Sequence, residues 1–91
     1  MRVIRKFPIV AGKIVRHVGW TPLRVGLMRG ALCVWAEVDL RETTMITTEV
    51  QVVRDEVDIQ FMYKSPDYWY DYLGSCNMND EVVVHVYEKV E

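Results

Sequence analysis

Apolar and polar residues alternate with a period of two along most of the 91-residue chain, as in β-strands that bury one face. The sharpest case is LRVGLMRGALCVWAEV, where Arg29-Gly30 is suited to a two-residue turn. A slip of one residue would move the apolar set to the wrong face, so the pattern also fixes the register. The predicted cross-strand pairs are Leu27–Leu32, Val25–Val34 and Leu23–Ala36 on the apolar face, and Gly26–Cys33 and Arg24–Trp35 on the other.

A second alternating pair predicts a further hairpin. The segments TTMITTEVQVVR and VDIQFMYK flank Asp55-Glu56, which we expect at the turn. This register buries one face of the hairpin and exposes the other. The predicted pairs on the buried face are Val52–Ile59, Val50–Phe61 and Thr48–Tyr63.

The two ends of the chain complete the predicted strand set. Residues 3–10 and 13–19 flank a turn at Ala11-Gly12, and Pro8 removes a ladder donor, which favours an edge position. The run EVVVHVYEKV is apolar on both faces, as is typical of a central strand. We therefore predict one all-β domain over residues 1–91, a small antiparallel barrel or sandwich of six or seven strands with at most one short helical turn near 66–72.

Size and composition narrow the class of protein. The chain is 51% hydrophobic, yet a domain of 91 residues has a modest core, which favours self-association into a homo-oligomer. No apolar run is long enough to cross a membrane, and the N-terminus lacks the apolar region of a signal peptide. We therefore expect an intracellular protein with no membrane contact. Two cysteines, Cys33 and Cys76, are too few for a disulfide scaffold.

The charges are unevenly distributed, although the net charge is only −2. Seven of the eleven basic residues precede Glu37, the first acidic residue. The asymmetry fits cross-strand ion pairs, complementary self-association or a nucleic-acid surface. A single-strand or nucleotide binder would need basic residues to share a face with Trp20 or Trp35. The candidates for such a basic face are Arg5, Lys13, Arg16 and Arg24.

Residues for catalysis are scarce. The chain has two histidines, and His85 alternates with valines as a sheet-face residue would. No spacing of His, Cys or acidic residues resembles a metal site, and no glycine-rich loop could hold a phosphate. We expect no enzymatic activity, no metal and no cofactor.

The segment KSPDYWYDYLG is the candidate contact site. Neighbouring residues of an extended chain point to opposite sides, so consecutive aromatics cannot all enter one core. They either cover the end of the barrel or form an exposed loop, and Tyr and Trp are favoured at interfaces. The predicted partner-binding residues are Asp67, Tyr68, Trp69, Tyr70 and Asp71.

Several short motifs resemble a small family of bacteriophage-encoded proteins of unknown function. The motifs are Lys6-Phe7, Gly30, Leu32–Ala36, Val38-Asp39, Tyr72 with Gly74-Ser75, and Val84–Tyr87. The sequence departs from the family pattern at residues 53–56, where the family has a glycine-containing turn, and SPDYWYD looks like an addition. The resemblance implies a phage origin and a location in the host cytoplasm, and it implies no activity.

These observations favour a non-enzymatic phage accessory protein that binds a host protein, with self-binding as an additional expectation. The step from small phage protein to host-factor binding is an analogy. The alternative is single-stranded nucleic-acid or nucleotide binding by a small β-barrel.

Overall fold

The computed structural model describes residues 1–91 as seven β-strands and one 3₁₀ turn. The turn spans Gln60–Tyr63. The strands are β1 (Arg2–Pro8), β2 (Lys13–His17), β3 (Thr21–Met28), β4 (Ala31–Asp39), β5 (Met45–Arg54), β6 (Trp69–Asn77) and β7 (Val83–Val90).

The strands form two antiparallel sheets that pack face to face as a sandwich. The three-stranded sheet has the order β1-β4-β3, and the four-stranded sheet has the order β2-β5-β7-β6. The sheets do not close into a barrel, so of the two predicted architectures the sandwich is the observed one. The buried cluster between them consists of Phe7, Ile14, Trp20, Val25, Val34, Ala36, Val38, Val50, Leu73 and Val86.

The hairpin at Arg29-Gly30 is confirmed, with Val25 opposite Val34 and Arg24 opposite Trp35. Both turn residues have positive φ, 52° and 81°, as a two-residue turn of type I′ requires. The predicted pairing of Leu23 with Ala36 is wrong. A bulge between Pro22 and Arg24 makes Pro22 the partner of Ala36 and leaves Leu23 exposed.

The second predicted hairpin is wrong. β5 pairs with β2 and β7, and residues 57–68 form no strand. This segment, the crossover segment, connects β5 to β6 across the outer face of β7, which points away from the three-stranded sheet. Met62 anchors it and is 1% exposed, whereas Phe61 and Tyr63, predicted to be buried, are exposed. The helical turn accordingly lies at Gln60–Tyr63, because residues 69–72 are already part of β6.

The ends of the chain agree with prediction in part. Val10 and Lys13 exchange backbone hydrogen bonds of 2.9 and 3.0 Å around the predicted Ala11-Gly12 turn. The strands on either side then separate, because β1 pairs with β4 and β2 pairs with β5. β1 is an edge strand, as Pro8 indicated, and β7 is central in its sheet, as predicted.

Candidate functional site

The aromatic segment is divided between the two faces at the start of β6. The rings of Tyr68 and Tyr70 meet edge to face at 5.8 Å, and the ammonium of Lys89 lies 4.2 Å from the centre of Tyr68. Trp69 points the other way with 55% of its surface exposed, and its Nε1 donates to Asp71 Oδ1 at 3.2 Å. The three aromatic residues lie outside the buried cluster between the sheets. Tyr68 and Tyr70 are half-buried on the outer face, and Asp67 is exposed.

A hydrogen-bonded chain lies on the same outer face. The Tyr72 hydroxyl lies 3.0 Å from His85 Nδ1, and His85 Nε2 lies 2.5 Å from Asp55 Oδ1. Because the Asp55 carboxylate can only accept, His85 Nε2 carries a proton and donates to it, and in the neutral ring Nδ1 accepts from the Tyr72 hydroxyl. These hydrogen bonds join the turn after β5 to β7 and to β6, the strand next to β7 in the sheet. Sequence reasoning missed it, because its members lie after β5, in β6 and in β7, and they meet only when these strands pair.

Four tyrosines form an aromatic surface around this chain. We call Tyr63, Tyr70, Tyr72 and Tyr87 the tyrosine face. Tyr72 and Tyr87 meet at 5.1 Å between ring centres, and Tyr63 and Tyr72 are more than half exposed. Burial raises the pKa of the Tyr87 hydroxyl, and the nearby hydroxyls of Tyr63 and Tyr72 raise it further. The Tyr87 phenol is therefore neutral at physiological pH and can donate a hydrogen bond.

A cleft of about 480 Å³ opens on the other face, beside Asp71. An ion pair lies in its wall: Arg16 Nε donates to Glu88 Oε2 at 2.6 Å, with side chains 12% and 5% exposed. Thr48 Oγ1 donates to the same Glu88 oxygen at 2.8 Å, and Arg16 Nη1 donates to the His17 carbonyl at 2.9 Å. The guanidinium also lies 4.8 Å from the ring centre of Trp20.

Burying two charges costs several kcal/mol per ion, which good geometry and further hydrogen bonds must offset. Both conditions are met here, because Arg16 and Glu88 each have a second partner. The pair therefore links β2 to β7 through the interior of the sandwich. Asp71 is directly opposite Glu88 in the β6–β7 ladder, so a second carboxylate lies beside the pair.

The four residues of the predicted basic face do not share a surface. Arg16 is buried against Glu88, and Arg24 lies over Trp35 at 4.9 Å on the outside of the three-stranded sheet. Arg5 lies on the edge strand β1, and Lys13 begins β2 in the other sheet. No group of three or more His, Cys, Asp or Glu side chains is placed to hold a metal ion.

One family model matches the whole chain, residues 1–91, and its description is a domain of unknown function, DUF7352. The chain belongs to the DUF7352 family. This membership confirms the expectation of a family of unknown function. A search of curated proteins and a search of solved structures found no match. No helix of this DUF7352 protein has the length and apolar character needed to span a membrane.

Proposed function

We propose that this protein acts by binding another protein, without catalysis, through the surface on both sides of β6. The observation that carries the proposal is the 55% exposure of Trp69 at the start of that strand. Tyr63 and Tyr72 are also exposed on the adjoining tyrosine face. Trp and Tyr are enriched among the residues that dominate binding energy at protein interfaces. Exposed aromatic rings on both faces of the edge strand β6 favour an interaction surface there.

The charges around this surface indicate the kind of partner. Asp67 and Asp71 flank the three consecutive aromatics, and both are exposed. Their carboxylates repel a phosphate backbone and attract basic groups, so the partner should be a protein with a neutral or basic contact surface.

The biological setting is part of the proposal. The short motifs that resemble phage-encoded proteins favour a phage accessory protein that binds a host protein in the host cytoplasm. The hydrogen-bonded chain of Tyr72, His85 and Asp55 has a structural role in this view, since it holds the turn after β5 against β6 and β7.

Capture of partners from a host lysate tests the proposal when it is run with matched variants. Trp69→Ala should weaken capture by about 30-fold, since a central aromatic anchor contributes roughly 2 kcal/mol. Ile4→Ala is the control, because Ile4 is 64% exposed on the opposite sheet. A partner retained equally by the wild type, Trp69→Ala and Ile4→Ala would refute binding through β6.

We also propose self-association through a separate patch. Val10 and Val15 are exposed and line a shallow cavity of about 320 Å³ with Pro8 and Thr47. Sedimentation should show a dimer at tens of micromolar, on the order expected for a modest interface, and Val15→Glu should convert it to a monomer. A wild-type protein that sediments as a monomer would remove this part of the proposal.

Single-stranded nucleic-acid binding is the second candidate, favoured by one feature. Trp35 lies between Lys6 and Arg24 in the ladder, and the Arg24 guanidinium covers its ring. An aromatic ring flanked by basic side chains can stack a base. Retention of a labelled oligonucleotide that weakens with salt and with Trp35→Ala would support this candidate.

A further inference from the structure

We infer that the cleft beside Asp71 receives an arginine side chain of the partner protein. This inference rests on the proposed function and names the chemistry of the contact. The cleft has a volume of about 480 Å³, within the range of roughly 300–1,000 Å³ typical of ligand pockets. Its lining includes Arg16, Trp20, Pro22, Asp71, Tyr72 and Glu88.

The carboxylates of the cleft are only partly neutralised. Asp71 and Glu88 are directly opposite across β6 and β7, a placement in which side chains of like charge repel each other. Arg16 engages Glu88 through Oε2, and Glu88 Oε1 accepts no hydrogen bond from the protein. Asp71 accepts only the indole N–H of Trp69. The cleft therefore carries one excess negative charge and free carboxylate oxygens, and a bound cation would relieve the repulsion.

The lining favours an organic cation over a metal ion. No third acidic or histidine side chain joins the two carboxylates, so a metal would lack ligands from the protein. A guanidinium is planar, donates in parallel to carboxylates and stacks on aromatic rings. Trp20 supplies such a ring in the lining, and it already carries the guanidinium of Arg16.

The position of the cleft favours a side chain of a protein over a free small molecule. Asp71 lies two residues after the exposed Trp69 and is hydrogen-bonded to it. A partner seated on Trp69 would therefore place its own surface directly over the opening. An arginine from that surface could enter the cleft while the rest of the interface covers the aromatic residues.

The test uses the intact protein and N-acetyl-arginine amide as a probe in an NMR chemical-shift titration. We expect saturable shifts at Asp71, Glu88 and the Trp20 indole, with a Kd on the order of 1–10 mM for so small a ligand. N-acetyl-citrulline amide has nearly the same shape without the charge, and it should cause no shift at these residues. Equal shifts with citrulline, or no shift with arginine at roughly tenfold above that Kd range, would overturn the inference.

Two substitutions, each removing one negative charge, distinguish arginine binding in the cleft from a general effect of the protein's net charge. Asp71→Asn keeps an acceptor for Trp69 and should weaken arginine binding at least about tenfold, as expected for a lost charged contact. Asp80→Asn removes the same charge from an exposed bend between β6 and β7, outside the cleft, and should leave the Kd unchanged. An unchanged Kd for Asp71→Asn would refute the assignment.

The lysate assay distinguishes this inference from the proposed function. Partner capture that is lost with Trp69→Ala and fully kept with Asp71→Asn would leave the function standing and remove the arginine contact. Partner capture unaffected by Trp69→Ala would remove the function instead.

Discussion

Replacing Glu88 by leucine should be one of the most destabilising single changes in this protein. The substitution leaves the Arg16 guanidinium 12% exposed and without its counterion, and it removes the acceptor of Thr48. Breaking a buried ion pair from one side costs about 3–5 kcal/mol. A domain of 91 residues has a total stability of roughly 5–14 kcal/mol, so the expected loss is a large fraction of it. At about 4–8 °C per kcal/mol, the melting temperature should fall on the order of 20 °C.

The paired replacement provides the decisive comparison. In Arg16→Met/Glu88→Leu neither charge remains buried, so most of the lost stability should return, as apolar replacements of buried pairs commonly achieve. Urea unfolding followed by tryptophan fluorescence measures all variants under one protocol. Glu49→Leu is the control, because Glu49 is exposed and lies 3.6 Å from Lys89, and such pairs contribute at most about 1 kcal/mol. A Glu88→Leu variant as stable as Glu49→Leu would refute the reasoning.

Three further predictions concern other parts of the fold. Gly30→Val should cost about 1 kcal/mol or more because Gly30 has a φ of 81°, and an unchanged urea midpoint would contradict the turn assignment. Met62→Ala should cost about 2–5 kcal/mol and speed proteolysis of the crossover segment, since Met62 is its buried anchor; resistance to protease equal to the wild type would argue against that role. Hydrogen bonds from the side chain and backbone N–H of Arg41 hold the pKa of Asp39 well below its usual range. The Asp39 carboxylate therefore stabilises the folded protein at pH values above its unfolded pKa, and this stabilisation is lost as pH falls through the lower folded pKa. An NMR titration of the wild type and of Arg41→Ala measures the difference in the Asp39 pKa.

The hairpin at Arg29-Gly30 could be predicted because the residues that determine it are close together in the sequence. Two residues that tolerate positive φ stand between two alternating segments, and only one register buries Val25 against Val34. The prediction of the second hairpin was wrong because a local pattern does not identify a partner strand that is distant in the sequence. Alternation in residues 57–64 indicated a strand, but it could not show that β5 would pair with β7, about thirty residues later. In the predicted strand Met62 would lie on the polar face, but in the structure it is the buried residue of the crossover segment.

Sequence reasoning identified only the part of the candidate site that lies within residues 67–71. Five neighbouring residues, 67–71, are visible in the sequence as a cluster, whereas Arg16 and Glu88 are 72 positions apart and meet only in the folded sandwich. Arg16 was assigned to a candidate basic face because it is one of the basic residues that precede Glu37. Its burial depends on a partner that no local pattern indicates.

The central position of β7 has a consequence for the order in which the chain can fold during synthesis. The strands of the three-stranded sheet are complete once residue 39 has been made, because β1, β3 and β4 precede it. β5 is made next, but one of its edges lacks a partner until Val83–Val90 has emerged. Until then its β-branched run exposes unpaired backbone groups, the feature by which nascent chains aggregate. We therefore expect truncated chains that end between residues 55 and 82 to aggregate more readily than the full-length protein.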